Sequence, residues 1–169
     1  MRRVDYKQKP LKIDRQAVEQ AIQGMAGERE FWEGRAAHCG QALALMREAR
    51  PKAWPGSRQE LDYVIYKTEN FITVFELLSA VQEAKADFDR VLLAISAEEP
   101  ADKIGKELEQ AERALQRADQ LVHQAAEQMI PYARLYPTER HILWIFNKVI
   151  PSYDAAERYL DEVIAFCKK

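Results

Sequence analysis

Apolar residues recur every three or four positions along most of this chain, which is the spacing of one face of an α-helix. The first stretch with this spacing follows Asp14, whose carboxylate is suited to accept a hydrogen bond from a free backbone N–H group of a first helical turn. Its apolar positions are Val18, Ile22, Met25, Trp32, Ala36, Cys39, Leu43 and Met46. The pattern predicts a helix over residues 14–50, preceded by an irregular segment over residues 1–13.

Four glycines interrupt this predicted first helix: Gly24, Gly27, Gly34 and Gly40. Each costs about 1 kcal/mol of helix stability relative to alanine. They indicate either that a neighbouring helix approaches closely or that the helix bends near residues 24–27. We favour one helix that can bend at that point.

The second predicted helix follows a loop that contains Pro51, Pro55 and Gly56. Residues 57–60, with the sequence SRQE, match a capping box, in which the Ser57 hydroxyl and the Glu60 carboxylate each accept a hydrogen bond from a backbone N–H group at the start of the helix. The apolar pattern then continues as far as the AEEPAD segment, where Pro100 interrupts it. The second helix is predicted over residues 58–96.

The last part of the chain predicts two more helices, over residues 102–135 and 139–168. The third has the most regular apolar spacing: Ile104, Leu108, Ala111, Leu115, Ala118, Val122, Ala125 and Met129. Pro137 ends it, and Thr138 is a suitable N-cap for the fourth helix. The apolar positions of the fourth helix keep one register on both sides of Pro151, so we expect a kink there and not a break.

Four long helices joined by short connections predict an all-α fold, an antiparallel up-down four-helix bundle that occupies residues 14–169 as one domain. A formal net charge of −2 gives no basic excess for nucleic acid or an anionic membrane, and no apolar stretch is long enough to span a bilayer. No signal peptide is visible at the N-terminus. Cys39 and Cys167 lie on apolar stripes and are expected to be thiols, which favours a cytoplasmic location.

The sequence contains no recognisable catalytic or metal-binding motif. A di-metal helical bundle needs glutamate three residues before histidine, but the residues three positions before His38, His123 and His141 are arginine, glutamine and threonine. Glycine-rich phosphate loops, nucleophile elbows and CxxC pairs are also absent from the sequence. We therefore expect a protein that is not an enzyme, with no catalytic residues, no metal and no cofactor.

Aromatic residues gather at one end of the predicted bundle. Because neighbouring helices run antiparallel, the place of a residue in its helix gives its position along the bundle axis, which we call its height. These aromatic residues are Trp54, Tyr63, Tyr66, Tyr136 and Trp144. Tyr63 and Tyr66 are expected to point away from the apolar face of the second helix formed by Leu61, Ile65, Thr68, Ile72 and Phe75. Polar residues at the same height are Lys67, Glu69 and Asn147. Glu69 is expected to form an ion pair between helices, with Arg134, Arg140 or Lys148 as the candidate partner.

Three interpretations of these aromatic residues remain open. They can fill the grooves that flank the core, with their polar tips in water. They can form an interface, since the second and fourth helices carry more apolar surface than a bundle core uses. They can also form a site for a small ligand such as a carbohydrate. The leading hypothesis is an interaction or accessory domain whose partner is another protein, a neighbouring domain or a second copy of the chain.

Residues 63–69, YVIYKTE, are followed by an apolar helix and later by residues 142–147, ILWIFN. In these stretches the chain resembles the helical accessory region that follows the catalytic domain in some large bacterial glycoside hydrolases. The resemblance covers the second to fourth predicted helices, about two-thirds of the chain. It implies a domain that packs against a catalytic barrel and has no activity of its own, with the catalytic carboxylates outside these 169 residues.

Overall fold

The computed structural model describes residues 12–133, together with residues 148–149, 151, 153–155 and 158, and it describes side chains over residues 12–128 and at those later positions. Residues 1–11, the end of the predicted third helix and most of the predicted fourth helix lie outside the described residues. Because the neighbours of Pro151 are among them, the predicted kink stays a prediction. The later described positions are all helical.

The described chain is all helical, which confirms the predicted all-α class. Helix α1 spans Arg15–Ala49, α2 spans Arg58–Ser96 and α3 spans Ala101–Ala133. Two short 3-10 turns, Arg50–Lys52 and Pro55–Ser57, connect α1 to α2. The corresponding predicted ranges are 14–50, 58–96 and 102–135, and the predicted end of the third helix lies outside the described residues. None of the helices in these described ranges is long and apolar enough to cross a membrane.

The helix ends follow different capping schemes. The Asp14 carboxylate accepts a hydrogen bond from the Ala17 backbone N–H at 3.2 Å, as its position before α1 predicts. The predicted capping box at the start of α2 is wrong, because the Ser57 side chain makes no capping hydrogen bond. Ser57 already has helical backbone angles as part of the preceding 3-10 turn, so the chain continues into α2 without the extended N-cap geometry that this motif needs.

Helix α2 ends in a Schellman motif. The Glu98 N–H donates to the Ile95 carbonyl and the Glu99 N–H donates to the Ala94 carbonyl, both at 3.1 Å. This pattern requires a left-handed residue, and Glu98 takes that role with φ of 54°. A glutamate therefore occupies a backbone conformation that glycine adopts at much lower cost.

Contacts between side chains show that α1 and α2 run in opposite directions. Arg29 pairs with Glu83 at 3.6 Å, while Arg47, farther along α1, pairs with Glu69, which is earlier in α2. Helices α2 and α3 are related in the same way, since Asn70 contacts Ala125 and Glu83 lies 3.9 Å from Arg117.

Helix α2 carries most of the core because it packs against both α1 and α3. Its most deeply buried apolar side chains are Val74, Leu77, Val81, Phe88 and Val91. From α3, the predicted stripe that includes Ile104, Leu108 and Ala111 is buried against them. Val149 and Tyr153 join the same core, and the Tyr153 hydroxyl donates to Asp119 Oδ1 at 2.8 Å.

The predicted orientation of α2 needs a correction. The face that contains Leu61, Ile65 and Ile72 is only partly buried, while the line through Val74 and Leu77 is the centre of the core. Tyr66 belongs to that inner line and is 8% exposed, so the expectation that it points away from the core is wrong. The physical reason is that a helix with neighbours on two sides buries most of its circumference.

The glycines of α1 do not mark a close approach of another helix. A Cβ atom added at Gly24, Gly27, Gly34 or Gly40 would have no heavy atom within 4 Å. Each glycine lies inside one continuous helix, α1, and faces open space. Of the two explanations offered for these glycines, close helix packing is therefore wrong.

Candidate functional site

A cluster of aromatic rings lies between α1 and α2. Phe31 and Trp32 are adjacent on α1, with ring centroids 4.9 Å apart in an edge-to-face arrangement. The Trp32 ring stacks on Phe75 of α2 at 5.6 Å, and Phe71, one helical turn earlier, stacks on Phe75 at 5.6 Å. These contacts make a continuous apolar surface in which Phe31 is the outermost ring, at 52% exposure.

The cluster borders an open groove of about 630 Å³, which we call the aromatic groove. Its lining residues are Phe31, Gly34, Arg35, His38, Cys39, Phe71 and Phe75. A Cβ atom added at Gly34 would meet no neighbour within 4 Å, so the groove is open at that position. Cys39 is a free, partly buried thiol. The groove is therefore mainly apolar, with both helices contributing its walls.

Positive charge lies at the edge of the aromatic groove. The Arg35 guanidinium is 4.9 Å from the centroid of the Phe31 ring, one turn earlier on α1, a distance suited to a cation–π contact. Arg35 has no carboxylate within ion-pair distance among the described residues. His38 is exposed one turn further along. The groove thus combines an apolar floor with a guanidinium group, paired with no carboxylate that the structure describes, beside its most exposed ring.

Polar contacts next to the cluster hold α1 against α2. The Glu33 carboxylate accepts hydrogen bonds from the Arg29 guanidinium at 2.8 Å and from the Ser79 hydroxyl at 3.2 Å. The Arg29 hydrogen bond is the main cause that lowers the pKa of Glu33 below its ordinary value. Since Ser79 is on α2, this carboxylate joins the two helices one residue away from Trp32.

The aromatic end predicted from the sequence is only partly assembled in the described residues. Trp54 is 83% exposed in the loop between the 3-10 turns. Tyr63 and Tyr66 contact each other at 6.3 Å between ring centroids, and the Lys67 ammonium lies 6.0 Å from the centre of the Tyr63 ring. Because Tyr66 is buried, it presents little surface to a ligand. Tyr136, Trp144 and Asn147 lie outside the described residues, so the carbohydrate alternative stays a prediction.

Glu69 pairs with a residue that was not a predicted candidate. Its carboxylate accepts a hydrogen bond at 2.7 Å from Arg47 of α1, and not from Lys148. The other two candidates, Arg134 and Arg140, lie outside the described residues. The sequence argument looked for a partner on the third and fourth helices and overlooked α1, which lies alongside the same part of α2.

Two residues important to this region were not singled out from the sequence. Phe31 is off the apolar stripe of α1, and only its position beside Trp32 and before Arg35 hints at a surface role. Asn70 is fully buried in α2, where its amide donates to the Ala125 carbonyl and to Gln128 Oε1, both at 3.2 Å. Asn70 follows Glu69 directly, but sequence alone did not show which polar residue faces the core.

Histidines and acidic residues do not form a metal centre in the part of the chain that the structure describes. His123 is exposed on α3, where its Nδ1 lies 2.8 Å from the Asp119 carbonyl oxygen. That backbone contact is the main cause that raises the pKa of His123. His141 is outside the described residues.

Comparison of this chain with protein-family models, with curated proteins and with solved structures gives no match. The resemblance to glycoside hydrolase accessory regions accordingly stays a prediction.

Proposed function

We propose that this protein is a helical interaction module that binds a partner polypeptide in the aromatic groove between α1 and α2. The observation that carries the proposal is Phe31, a large apolar side chain that is half exposed while its ring is held by Trp32 at the edge of an open groove. Aromatic side chains are enriched in the buried centres of protein interfaces, and exposed apolar surface of this kind is typical of binding sites.

The groove favours an amphipathic helix as the bound element. Two helices supply its walls, and a third helix can lay an apolar face between them as in other helix-in-groove complexes. Arg35 and His38 at the edge favour an acidic residue next to the apolar anchors of the partner. The partner is thus expected to present apolar residues at helical spacing, with at least one carboxylate beside them.

Burying the exposed part of Phe31 against a partner contributes measurably to the free energy of binding. Full burial of a phenylalanine side chain contributes about 1.5–3 kcal/mol, and Phe31 still has 52% of its surface exposed. Covering that half contributes about 1–1.5 kcal/mol, which corresponds to about tenfold in affinity. Phe31 is therefore a candidate anchor residue for the interface.

The framework of this proposal is an antiparallel four-helix bundle whose fourth helix, residues 139–168, is kinked at Pro151. Val149 and Tyr153 support it, because they are buried in the same core as α2 and α3. In the accessory-domain version of the proposal, the partner is a neighbouring domain of a longer polypeptide. In that case the bound helix belongs to the same gene product.

Site-specific photocrosslinking tests this function. A benzoyl-phenylalanine at position 31 is expected to give one discrete adduct in host cells, whose mass identifies a second copy of this 19.6 kDa chain, a neighbouring domain or another protein. The same group at Leu45, which is 67% exposed on α1 but outside the groove, is the matched control. Identical adducts from both positions would contradict the proposal.

A further inference from the structure

A second cavity, which we call the polar cleft, lies where α1, α2 and α3 meet. It has a volume of about 340 Å³ and is lined by residues of all three helices. Its apolar part includes Met25, Ala26 and Ala86. The rest of the lining is polar, with three carboxylates, two guanidinium groups and two glutamine amides. It shares no lining residue with the aromatic groove.

Asp87 is the most unusual member of the polar cleft. Its side chain is 1% exposed, and its Oδ1 atom accepts a hydrogen bond from Arg90 at 2.6 Å. Its Oδ2 atom is buried and accepts a hydrogen bond from no residue that the structure describes. Burial is the main cause that raises the pKa of Asp87, and the nearby Glu83 and Glu107 carboxylates raise it further. A buried acceptor without a donor is rare in proteins and points to a missing partner.

The two guanidinium groups of the cleft are already paired with carboxylates. Arg29 contacts Glu33 at 2.8 Å and Glu83 at 3.6 Å, and Arg90 contacts Asp87. Glu107, in contrast, has no cation within ion-pair distance in the described part of the chain. The lining of the cleft therefore has three carboxylates against two guanidinium groups, an excess of negative charge.

We propose that the polar cleft binds a primary alkylammonium ion, with the ammonium group between Asp87 and Glu107. The ammonium N–H groups donate to Asp87 Oδ2 and to the Glu107 carboxylate, and the alkyl stem lies along Met25, Ala26 and Ala86.

The cavity also defines the class of cation. Within the described residues no group of histidine, cysteine or acidic side chains is arranged to hold a metal ion. A volume of about 340 Å³ is near the lower limit of ordinary small-molecule sites, so the ligand is short. An organic ammonium with an alkyl stem matches both the acceptors and the apolar wall.

Titration with n-butylammonium tests the proposal, with 1-butanol as a neutral probe that has the same stem. The readout is the methyl resonance of Met25 in the NMR spectrum, and Met46, toward the other end of α1, serves as the internal reference. We expect a saturable shift of the Met25 signal with n-butylammonium only. Asp87→Asn and Glu107→Gln are each expected to weaken binding at least tenfold, because each removes an acceptor charge.

Glu109→Gln is the matched control, since it makes the same charge change on α3 at a side chain that is 62% exposed and outside the cleft. It is expected to bind n-butylammonium as the wild type does. If Asp87→Asn fails to fold, Glu107→Gln against Glu109→Gln decides the question alone. An equal shift with 1-butanol, equal losses in Glu107→Gln and Glu109→Gln, or the absence of a saturable shift would overturn the proposal.

Discussion

Asn70 fixes the contact between α2 and α3, and replacing it with aspartate should destabilise the protein strongly. The wild-type amide is fully buried and donates to the Ala125 carbonyl and to Gln128 Oε1. Asn70→Asp has nearly the same shape, but it removes both donors and places a carboxylate opposite two acceptors. An uncompensated buried charge costs about 3–5 kcal/mol, so we expect the free energy of unfolding to fall by that amount at neutral pH.

Asn70→Leu provides the contrast, because it keeps a similar volume without a charge. It loses two neutral hydrogen bonds, at about 1 kcal/mol each. It also removes Asn70 Oδ1, which is buried without a hydrogen-bond donor among the described residues and whose burial costs about 1–3 kcal/mol. These effects offset each other, so the leucine variant is expected to lie within about 1 kcal/mol of the wild type.

Urea denaturation followed by circular dichroism measures both variants. Burial also raises the pKa of the introduced carboxyl, so the aspartate variant should recover stability as the pH falls and the group becomes protonated. A loss of less than about 1 kcal/mol for Asn70→Asp at neutral pH, or equal losses for both variants, would refute the placement of Asn70 in the α2–α3 contact.

Three further predictions test other parts of the fold. Phe88→Ala, at a side chain with no exposed surface, should lower the free energy of unfolding by about 3–5 kcal/mol. Phe31→Ala, at a side chain that is 52% exposed, should lower it by about 1 kcal/mol. Urea denaturation measures both variants, and equal losses would contradict the assigned core. Glu98→Gly should stabilise the protein by about 1 kcal/mol, seen as a higher melting temperature, because glycine adopts the positive φ at the end of α2 without strain; a lower melting temperature would contradict this. The pKa of Asp87 is raised above 3.8 in the folded state, so the wild type loses stability as the pH rises from 3.8 through the folded pKa. Asp87→Asn lacks this loss, so in urea denaturation it should be more stable relative to the wild type at pH 7 than at about pH 3.5. A stability difference that does not change with pH would contradict this prediction.

The helical class follows closely from apolar spacing. The regular stripe of α3 predicts the burial of Ile104, Leu108, Ala111, Leu115 and Ala118, although Val122 of the same stripe is only partly buried. The orientation of α2 could not be predicted, because a helix with neighbours on two sides has apolar residues around most of its circumference. When only one apolar stripe is taken as the core-facing side of such a helix, the wrong side is chosen. The burial of Tyr66, which is not on the chosen stripe, shows this for α2. The capping motif at Ser57 failed for a related reason, since the conformation of the preceding residues decides whether a cap forms.

The candidate site was harder to predict than the fold. The aromatic groove depends on the relative heights of Phe31 on α1 and Phe75 on α2, which are far apart in the sequence. The sequence argument weighted tyrosine and tryptophan near the loops, and Trp54 is exposed there, but the exposed ring of the aromatic groove is Phe31 in the middle of α1. Likewise, Asp87 looks like an ordinary surface charge in the sequence, because only packing against α1 and α3 buries it.

Calorimetric titration with the partner identified by crosslinking tests the central claim most directly. Phe31→Glu places a charge on the outermost ring position of the aromatic groove, and Leu45→Glu makes the same kind of change at an exposed apolar residue of α1 outside it. We predict that Phe31→Glu weakens partner binding at least tenfold while Leu45→Glu leaves the affinity within about twofold of the wild type. Equal affinities for the wild type and Phe31→Glu would contradict the assignment of the groove as the binding surface.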